Sequence, residues 1–349
     1  MSKQKQISED TLNKVLPKIS NEIKSCLPDK PEYLLKYANR FVPPKIHSKV
    51  DLYTKKMMLK YVLNDEDYLL TYLSILAESF YGKSKSNNPK LYLVIGQTGS
   101  GKSNLTAEIL KENHNCIVLD SDKYKSFRPD AEILATKYPT LYGFLTGIDS
   151  YEHRDNIYNY AINNSYDIII EKAPDIKKGL INVDIEKALN RGYKIIVSVL
   201  AVGKLNSALS IHERYEGQIE QKLLTPKLTD LERHNQSYEG LNKIVQKLQI
   251  DKKVNISVYK RAESVYENPI LVYPREKCEI YNSPYEAMIN TQEKDNKKTI
   301  KEFFDRYEMI KMQMKRRNAE VTQYKQLEKI EEMYLEIINT KEMKEMLER

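Results

Sequence analysis

The 349-residue chain is 41% apolar, enough to bury a sizeable core in one large or two ordinary domains, which excludes a disordered or low-complexity protein. Its 56 Lys and Arg against 49 Asp and Glu leave a formal charge of +7 spread along the whole chain, which argues against nucleic acid as the partner. Cys26, Cys116 and Cys278 are too scattered for a disulfide framework or a zinc site and fit a reducing cytoplasm, while no apolar run approaches the ~20 residues that cross a bilayer, so no membrane role is expected.

Residues 1–85 carry apolar positions at helical spacing, interrupted near Pro28 and Pro31 and at Pro43-Pro44. Leu52, Met58, Leu59, Val62, Leu69, Leu70, Leu73 and Leu76 predict two or more packed helices in this N-terminal extension. Gly82 to Pro89 is small, polar and closed by proline, so it reads as a linker opening a second region over 86–277. There, strand-like runs at Leu91–Ile95, Cys116–Leu119, Tyr166–Ile170, Tyr193–Leu200 and Val254–Tyr259 alternate with helical patterns. That alternation predicts an α/β fold, a P-loop kinase-like parallel sheet flanked by helices. In the third region, 278–349, the pattern beyond Pro284 predicts one long charged helix to Arg349, with no proline or glycine inside it. Phe303, Tyr307, Ile310, Met314, Val321, Tyr324, Leu327, Tyr334 and Ile337 form its apolar stripe, expected to pack on the core or on a partner.

Gly96-Gln97-Thr98-Gly99-Ser100-Gly101-Lys102-Ser103 is a complete Walker A motif between a strand pattern and a helix pattern beginning at Asn104. The glycines let successive backbone N–H groups converge, the helix N-terminus adds positive charge, Lys102 reaches the β- and γ-phosphates and Ser103 holds Mg²⁺. Gly96 to Asn104 are therefore the expected nucleotide-binding residues, with ATP or GTP as phosphoryl donor. Asp120 and Asp122 close the second strand pattern, the edge that faces the ligand crevice of an open α/β sheet. One carboxylate there suits proton abstraction from a hydroxyl and the other suits orienting Mg²⁺, although Asp120 suits a helix N-cap equally well. His153, His212 and His234 lack partner spacing and read as packing or surface residues, and packing also accounts for most of the 26 tyrosines.

Asp120-Ser121-Asp122-Lys123-Tyr124-Lys125-Ser126-Phe127-Arg128-Pro129 resembles the aspartate-rich strand end and Arg-Pro turn of the zeta toxin family, P-loop kinases of bacterial toxin–antitoxin systems. Val199 to Leu209, Glu213-Arg214-Tyr215-Glu216, Tyr166 to Glu171 and Thr225-Pro226-Lys227 extend the resemblance over about 90–260, in order and at similar spacing. It implies that Asp122 is the catalytic base, that Lys102 and Arg214 neutralise the transferring phosphoryl group, and that Asp120, Glu171, Lys204 and Lys227 bind substrate. The helical pattern alone equally allows Arg214 to pair with Glu213 or Glu216. The implied activity is ATP-dependent phosphorylation of a sugar hydroxyl of UDP-N-acetylglucosamine or a related nucleotide sugar, which blocks cell-wall precursor synthesis. Family members are restrained by a small helical antitoxin, so residues 1–85 are read either as an in-chain restraint or as a helical extension packing on the core.

Three departures qualify the resemblance. Glu171 leads into Lys172-Ala173-Pro174-Asp175 where family members carry a Gly-Thr-Gly-Arg type sequence. Lys222-Leu223-Leu224 stands where many place an arginine before Thr-Pro-Lys, and both terminal regions exceed a minimal kinase. The alternatives are a kinase acting on a nucleoside, a dinucleotide or another nucleotide sugar, and a nucleotide-binding regulatory protein without small-molecule transfer.

Overall fold

The computed structural model describes residues 3–46, 50–138, 141–174, 180–223, 226–264, 267–274 and 281–339. Asp175, Leu224, Thr225, Cys278 and the tail 340–349, all drawn on above, lie outside the described residues. The described strands are β1 Lys3–Gln6, β2 Asn39–Val42, β3 Lys90–Ile95, β4 Ile117–Leu119, β5 Ile168–Lys172, β6 Lys194–Ala201, β7 Val254–Lys260 and β8 Ile270–Tyr273. Six of them form a sheet of order β4-β5-β3-β6-β7-β8, in which β4–β5 and β6–β7 pair in parallel and β8 runs antiparallel to β7. The predicted α/β class therefore forms, with helices flanking a mostly parallel sheet. β3 and β6 are almost continuous runs of buried apolar residues, as strands covered on both faces require. All five predicted strands are present. β8 and the antiparallel β1–β2 ladder were not predicted; in β1, Lys3-Gln4-Lys5-Gln6 is wholly polar and shows no alternation.

The chain divides into two compact units. The first comprises Met1–Leu91, Asn113–Ile170 and Ala188–Tyr193. Its Asp65–Phe80 helix starts where the Asn64 side chain accepts from the Asp67 amide, with Asp65, Glu66 and Asp67 favouring the positive end of the helix dipole. It buries Tyr68, Leu69, Tyr72, Leu73, Leu76 and Phe80. Arg40 of β2 donates to Leu63 O at 2.8 Å, Asp65 Oδ1 at 3.1 Å and Asp149 Oδ1 at 3.0 Å. Asp149 is fully buried and also takes Arg128 Nη1 at 2.6 Å, so the Arg-Pro turn of the sequence is tied into a structural ion network. Tyr33, Tyr37, Phe80 and Tyr166 crowd around Tyr160, several edge to face, which confirms packing as the use of these tyrosines.

The second unit comprises Tyr92–Glu112, Glu171–Lys187 and Lys194–Arg349. Its C-terminal pattern forms two helices, Pro284–Arg316 and Val321–Ile338, rather than one helix running to the terminus. The first is stopped just beyond its C-cap Arg317 by Asn318, whose φ of +54° is a left-handed conformation that asparagine tolerates, and the Ala319 amide closes on Met314 O at 2.9 Å. The apolar stripe packs on the unit's own core: Phe303, Tyr307, Ile310, Met314, Leu327 and Tyr334 meet Leu205, Ala208 and Leu209 of the Lys204–Glu220 helix. Val321, placed on that stripe from the sequence, is exposed at the start of its helix.

Candidate functional site

Gly96 to Asn104 form the loop after β3 and the start of the Lys102–Glu112 helix, in the second unit. Gly99 and Gly101 adopt φ of +78° and +88°, which side-chain-bearing residues rarely occupy. A Cβ at Gly99 would lie 2.1 Å from the backbone oxygen of Ser207, so the loop packs here only because this position is glycine, and one at Gly96 would lie 2.7 Å from Ser100 Oγ. Lys102 Nζ donates to Gln97 O at 3.0 Å and so bends back over the loop. Ser103 Oγ donates to Glu171 Oε2 at 3.3 Å, which brings the predicted metal-holding hydroxyl and the predicted substrate carboxylate together at the end of β5.

Neighbouring helices brace the loop from outside. Gln97 Nε2 donates to Val202 O at 2.6 Å and to Ser207 Oγ at 3.1 Å, and Ser207 Oγ lies 2.8 Å from His234 Nε2. The Thr98 amide donates to Ser237 Oγ at 3.1 Å. Burial, with Lys204 adding to it, pushes His234 down to about 4, so it stays neutral near pH 7. His153, His212 and His234 are all completely buried, which bears out packing as their use. Gln97 Oε1, Thr98 Oγ1 and Ser100 Oγ are buried without a hydrogen-bond partner. Such orphaned groups, a glycine loop held at positive φ and a lysine over the loop fit the polyphosphate of a nucleotide, and the Ser103–Glu171 pair fits a hard cation shared with it. Among the described residues no cluster of three or more His, Cys, Asp or Glu side chains forms a separate metal site.

The Lys204–Glu220 helix carries the other candidates. Arg214 is exposed and donates from Nη2 to Thr229 Oγ1 at 3.1 Å. Of its acidic neighbours in sequence, Glu213 pairs with Arg306 at 2.7 Å and Glu216 with Arg317 at 2.6 Å. Lys204 opens the helix, and exposed Lys227 donates its amide to Gln218 Oε1 at 2.8 Å. The helix N-terminus is capped from far along the chain, by Asp295 Oδ2 on the Gly203 amide at 2.6 Å and Asn296 Oδ1 on the Leu205 amide at 3.2 Å. After Glu171, Arg233 donates to Ala173 O at 2.8 Å and Pro174 O at 3.1 Å, and Lys172 pairs with Asp184.

Asp120 and Asp122 belong to the first unit. Asp120 Oδ1 accepts from the amides of Asp122 at 2.9 Å and Lys123 at 3.2 Å, the N-cap role its sequence position allowed. Asp122 is exposed and takes Lys125 Nζ at 2.6 Å. Burial opposes the charge on Lys125, but Asp122 together with Tyr151 and Tyr142 outweighs it and holds the amine above its ordinary range.

Sequence reasoning missed Arg261, Ser237, Asp295 and Arg306. Arg261 alone carried a signal, since it follows the C-terminal end of β7, the sheet edge where ligands bind. Among the described residues no helix is long and apolar enough to cross a membrane.

The sequence model of the Zeta toxin family matches residues 75–270, over half of the chain. The curated protein "Toxin zeta" of Enterococcus hirae is 29% identical over 172 residues, covering 48% of this chain and 58% of its own length. That of Streptococcus pyogenes is 30% identical over 166 residues, covering 46% and 56%. The chain thus spans a little over half the length of the curated relatives it matches. A solved structure from the PezAT chromosomal toxin–antitoxin system of Streptococcus pneumoniae covers 72% of this chain and 98% of its own, with a TM-score of 0.58 at 18% identity, a likeness of fold.

Proposed function

The chain belongs to the zeta toxin family, and from that premise we propose that it is an ATP-dependent kinase that phosphorylates a sugar hydroxyl of UDP-N-acetylglucosamine or a related nucleotide sugar. The observation that carries the reading is the glycine loop, held at positive φ with Lys102 bent over it and Ser103 bonded to Glu171. Phosphoryl transfer needs little covalent help from a protein; it needs alignment of the two reactants and cations around the spreading negative charge.

Each residue has a part in that scheme. The loop amides and Lys102 bind the β- and γ-phosphates. Ser103 holds Mg²⁺, which supplies charge neutralisation across the phosphates when bound. Glu171 binds the acceptor, Asp122 takes the proton of its hydroxyl, and Arg214 neutralises charge on the moving phosphoryl group. Lys204 and Lys227 add positive charge on the substrate side. Asp120 acts by capping the turn that presents Asp122. An antitoxin is the proposed partner, as for the family.

A second acceptor reading, a nucleoside, dinucleotide or different nucleotide sugar, is favoured by the segment after Glu171. Its carbonyls are bound by Arg233 where the family's flexible glycines stand. Incubating the full chain with MgATP and a panel of nucleotide sugars, nucleosides and dinucleotides, then weighing the products, separates the two. ATP turnover with no phosphorylated small molecule would refute both.

A further inference from the structure

Arg261 lies just past the end of β7, and its guanidinium grips the glycine loop from behind. Nε donates to Ser100 O at 3.2 Å and Nη2 to Gly99 O. Its remaining nitrogen, Nη1, donates to Ser210 Oγ at 2.8 Å and Asn206 Oδ1 at 3.4 Å on the Lys204–Glu220 helix. Arg306 shares both acceptors: it reaches Asn206 Oδ1 at 2.9 Å and Ser210 Oγ at 3.3 Å, and forks onto Glu213 at 2.7 and 2.8 Å. A bonded path therefore runs from the loop backbone to the Pro284–Arg316 helix, which lies beyond the residues that match the family.

The grip has a directional consequence. In a trans peptide the carbonyl and the following N–H point opposite ways. Binding Ser100 O therefore turns the Gly101 N–H away from Arg261, and amides so turned are what a Walker loop offers to phosphate. Gly101 holds a φ of +88°, which side-chain-bearing residues rarely adopt, and a Cβ there would touch the Arg261 guanidinium at 3.5 Å, an ordinary contact distance. Burial, with Arg306 adding to it, lowers Arg261 from the usual guanidinium range, and Asp295 and Glu213 pull the other way.

We infer that Arg261 is a positioning residue of the nucleotide cradle, itself fixed by Arg306, so that a helix outside the family match sets how well the loop holds a nucleoside triphosphate. The inference rests on the nucleotide-binding reading above. It differs from a structural brace in what it predicts: the effect falls on nucleotide affinity rather than on folding.

The test titrates MgATP into the full chain by calorimetry, with nucleotide-free melting as the control for folding. Arg261→Met should weaken MgATP about tenfold or more, the worth of one charge-assisted hydrogen bond, while nucleotide-free melting stays near wild type. Arg261→Lys should regain part of the loss, because an amine can still serve one carbonyl. Arg306→Met should weaken binding less, and the double variant should bind no more weakly than Arg261→Met alone, since both act along one path. If Arg261→Met does not fold, Arg261→Lys and Arg306→Met carry the test. Arg261→Met binding like wild type while Lys102→Ala loses MgATP would overturn this inference and leave the kinase reading standing. A wild-type chain that does not bind MgATP would overturn both.

Discussion

Gly99→Ala offers the sharpest test of the phosphate cradle. Two penalties apply, and a control separates them. The first is conformational: φ of +78° places any Cβ in the left-handed region, at about 1–2 kcal/mol. The second is steric. The new methyl carbon would stand 2.1 Å from Ser207 O, a backbone atom inside the Lys204–Glu220 helix, and 3.0 Å from Ile211 Cγ1 of the same helix. A contact that real Cβ atoms do not make below 3.0 Å requires the loop to move by about 1 Å, since a helical carbonyl yields less readily than a loop.

Gly192 supplies the control, because it has the same φ of +78° and nothing within 4 Å of an added methyl. Gly192→Ala should therefore cost about 1 kcal/mol of stability, the strain less the gain from a stiffer unfolded chain, and leave nucleotide binding alone. Gly99→Ala should cost more, about 2–3 kcal/mol, and should weaken MgATP by about a hundredfold, since a 1 Å displacement of positioned groups has that effect. Urea unfolding gives the stabilities and calorimetry gives the affinities. A folded Gly99→Ala chain that binds MgATP within about threefold of wild type would refute the claim that this loop, so packed, is the phosphate cradle.

Asp122→Asn should abolish transfer to the acceptor while MgATP affinity is kept, read by product mass and calorimetry; retained transfer would remove Asp122 from the base role. Burial pushes Glu152 up to about 7 from an ordinary 4.5, with the Phe41 amide and Arg40 pulling the other way. Because the folded-state value is raised, the native state holds the proton more tightly, so this contribution to stability is full below pH 4.5 and is lost as pH rises through about 7. Glu152→Gln should therefore gain on wild type by at most about 3 kcal/mol at pH 8 and show no gain near pH 4, in urea melts at both pH values. Glu216 is almost fully buried and takes both arms of Arg317 at 2.6 and 2.7 Å. Arg317→Ala, which strands that carboxylate, should cost about 3 kcal/mol, and a thermal melt unchanged from wild type would refute it. Deleting residues 1–85 should yield a chain without a cooperative melt, whereas a well-folded truncation would show that the extension is dispensable.

The sequence made legible what is local. The Walker motif, the apolar runs of β3 to β7 and the Asp120 cap could all be read because period and turn chemistry act over a few residues. The two halves of the C-terminal pattern could not be separated by looking for proline or glycine, since asparagine at 318 makes the break. The support of the loop was illegible for another reason. Asp295 and Asn296 cap a helix that begins at Lys204, and Arg306 reaches Asn206 and Glu213. Each is an ordinary charged or polar residue inside an amphipathic helix, and its work is set by which helix it faces. Glu213 and Glu216 show the difference from the other side: spacing offered them to Arg214, and each also pairs with a tertiary arginine, Arg306 and Arg317, that local sequence could not reveal.

The same distinction bears on whether residues 1–85 act as a restraint or as a support. A segment able to leave its site needs an interface that water can replace at modest cost. Tyr68, Leu69, Tyr72, Leu73, Ile75 and Leu76 are completely buried, and a side chain of that size loses about 1.5–3 kcal/mol on exposure. Without the extension Asp149 would lose Arg40 and the Leu63 amide while keeping Arg128, and Glu152 would lose both Arg40 and the Phe41 amide. His153, stacked on Tyr68 with ring centroids 4.1 Å apart, would lose its cover. Half-satisfied buried charges are worse than none. The extension is thus bonded as core into the unit that carries Asp122, which favours support over a detachable restraint.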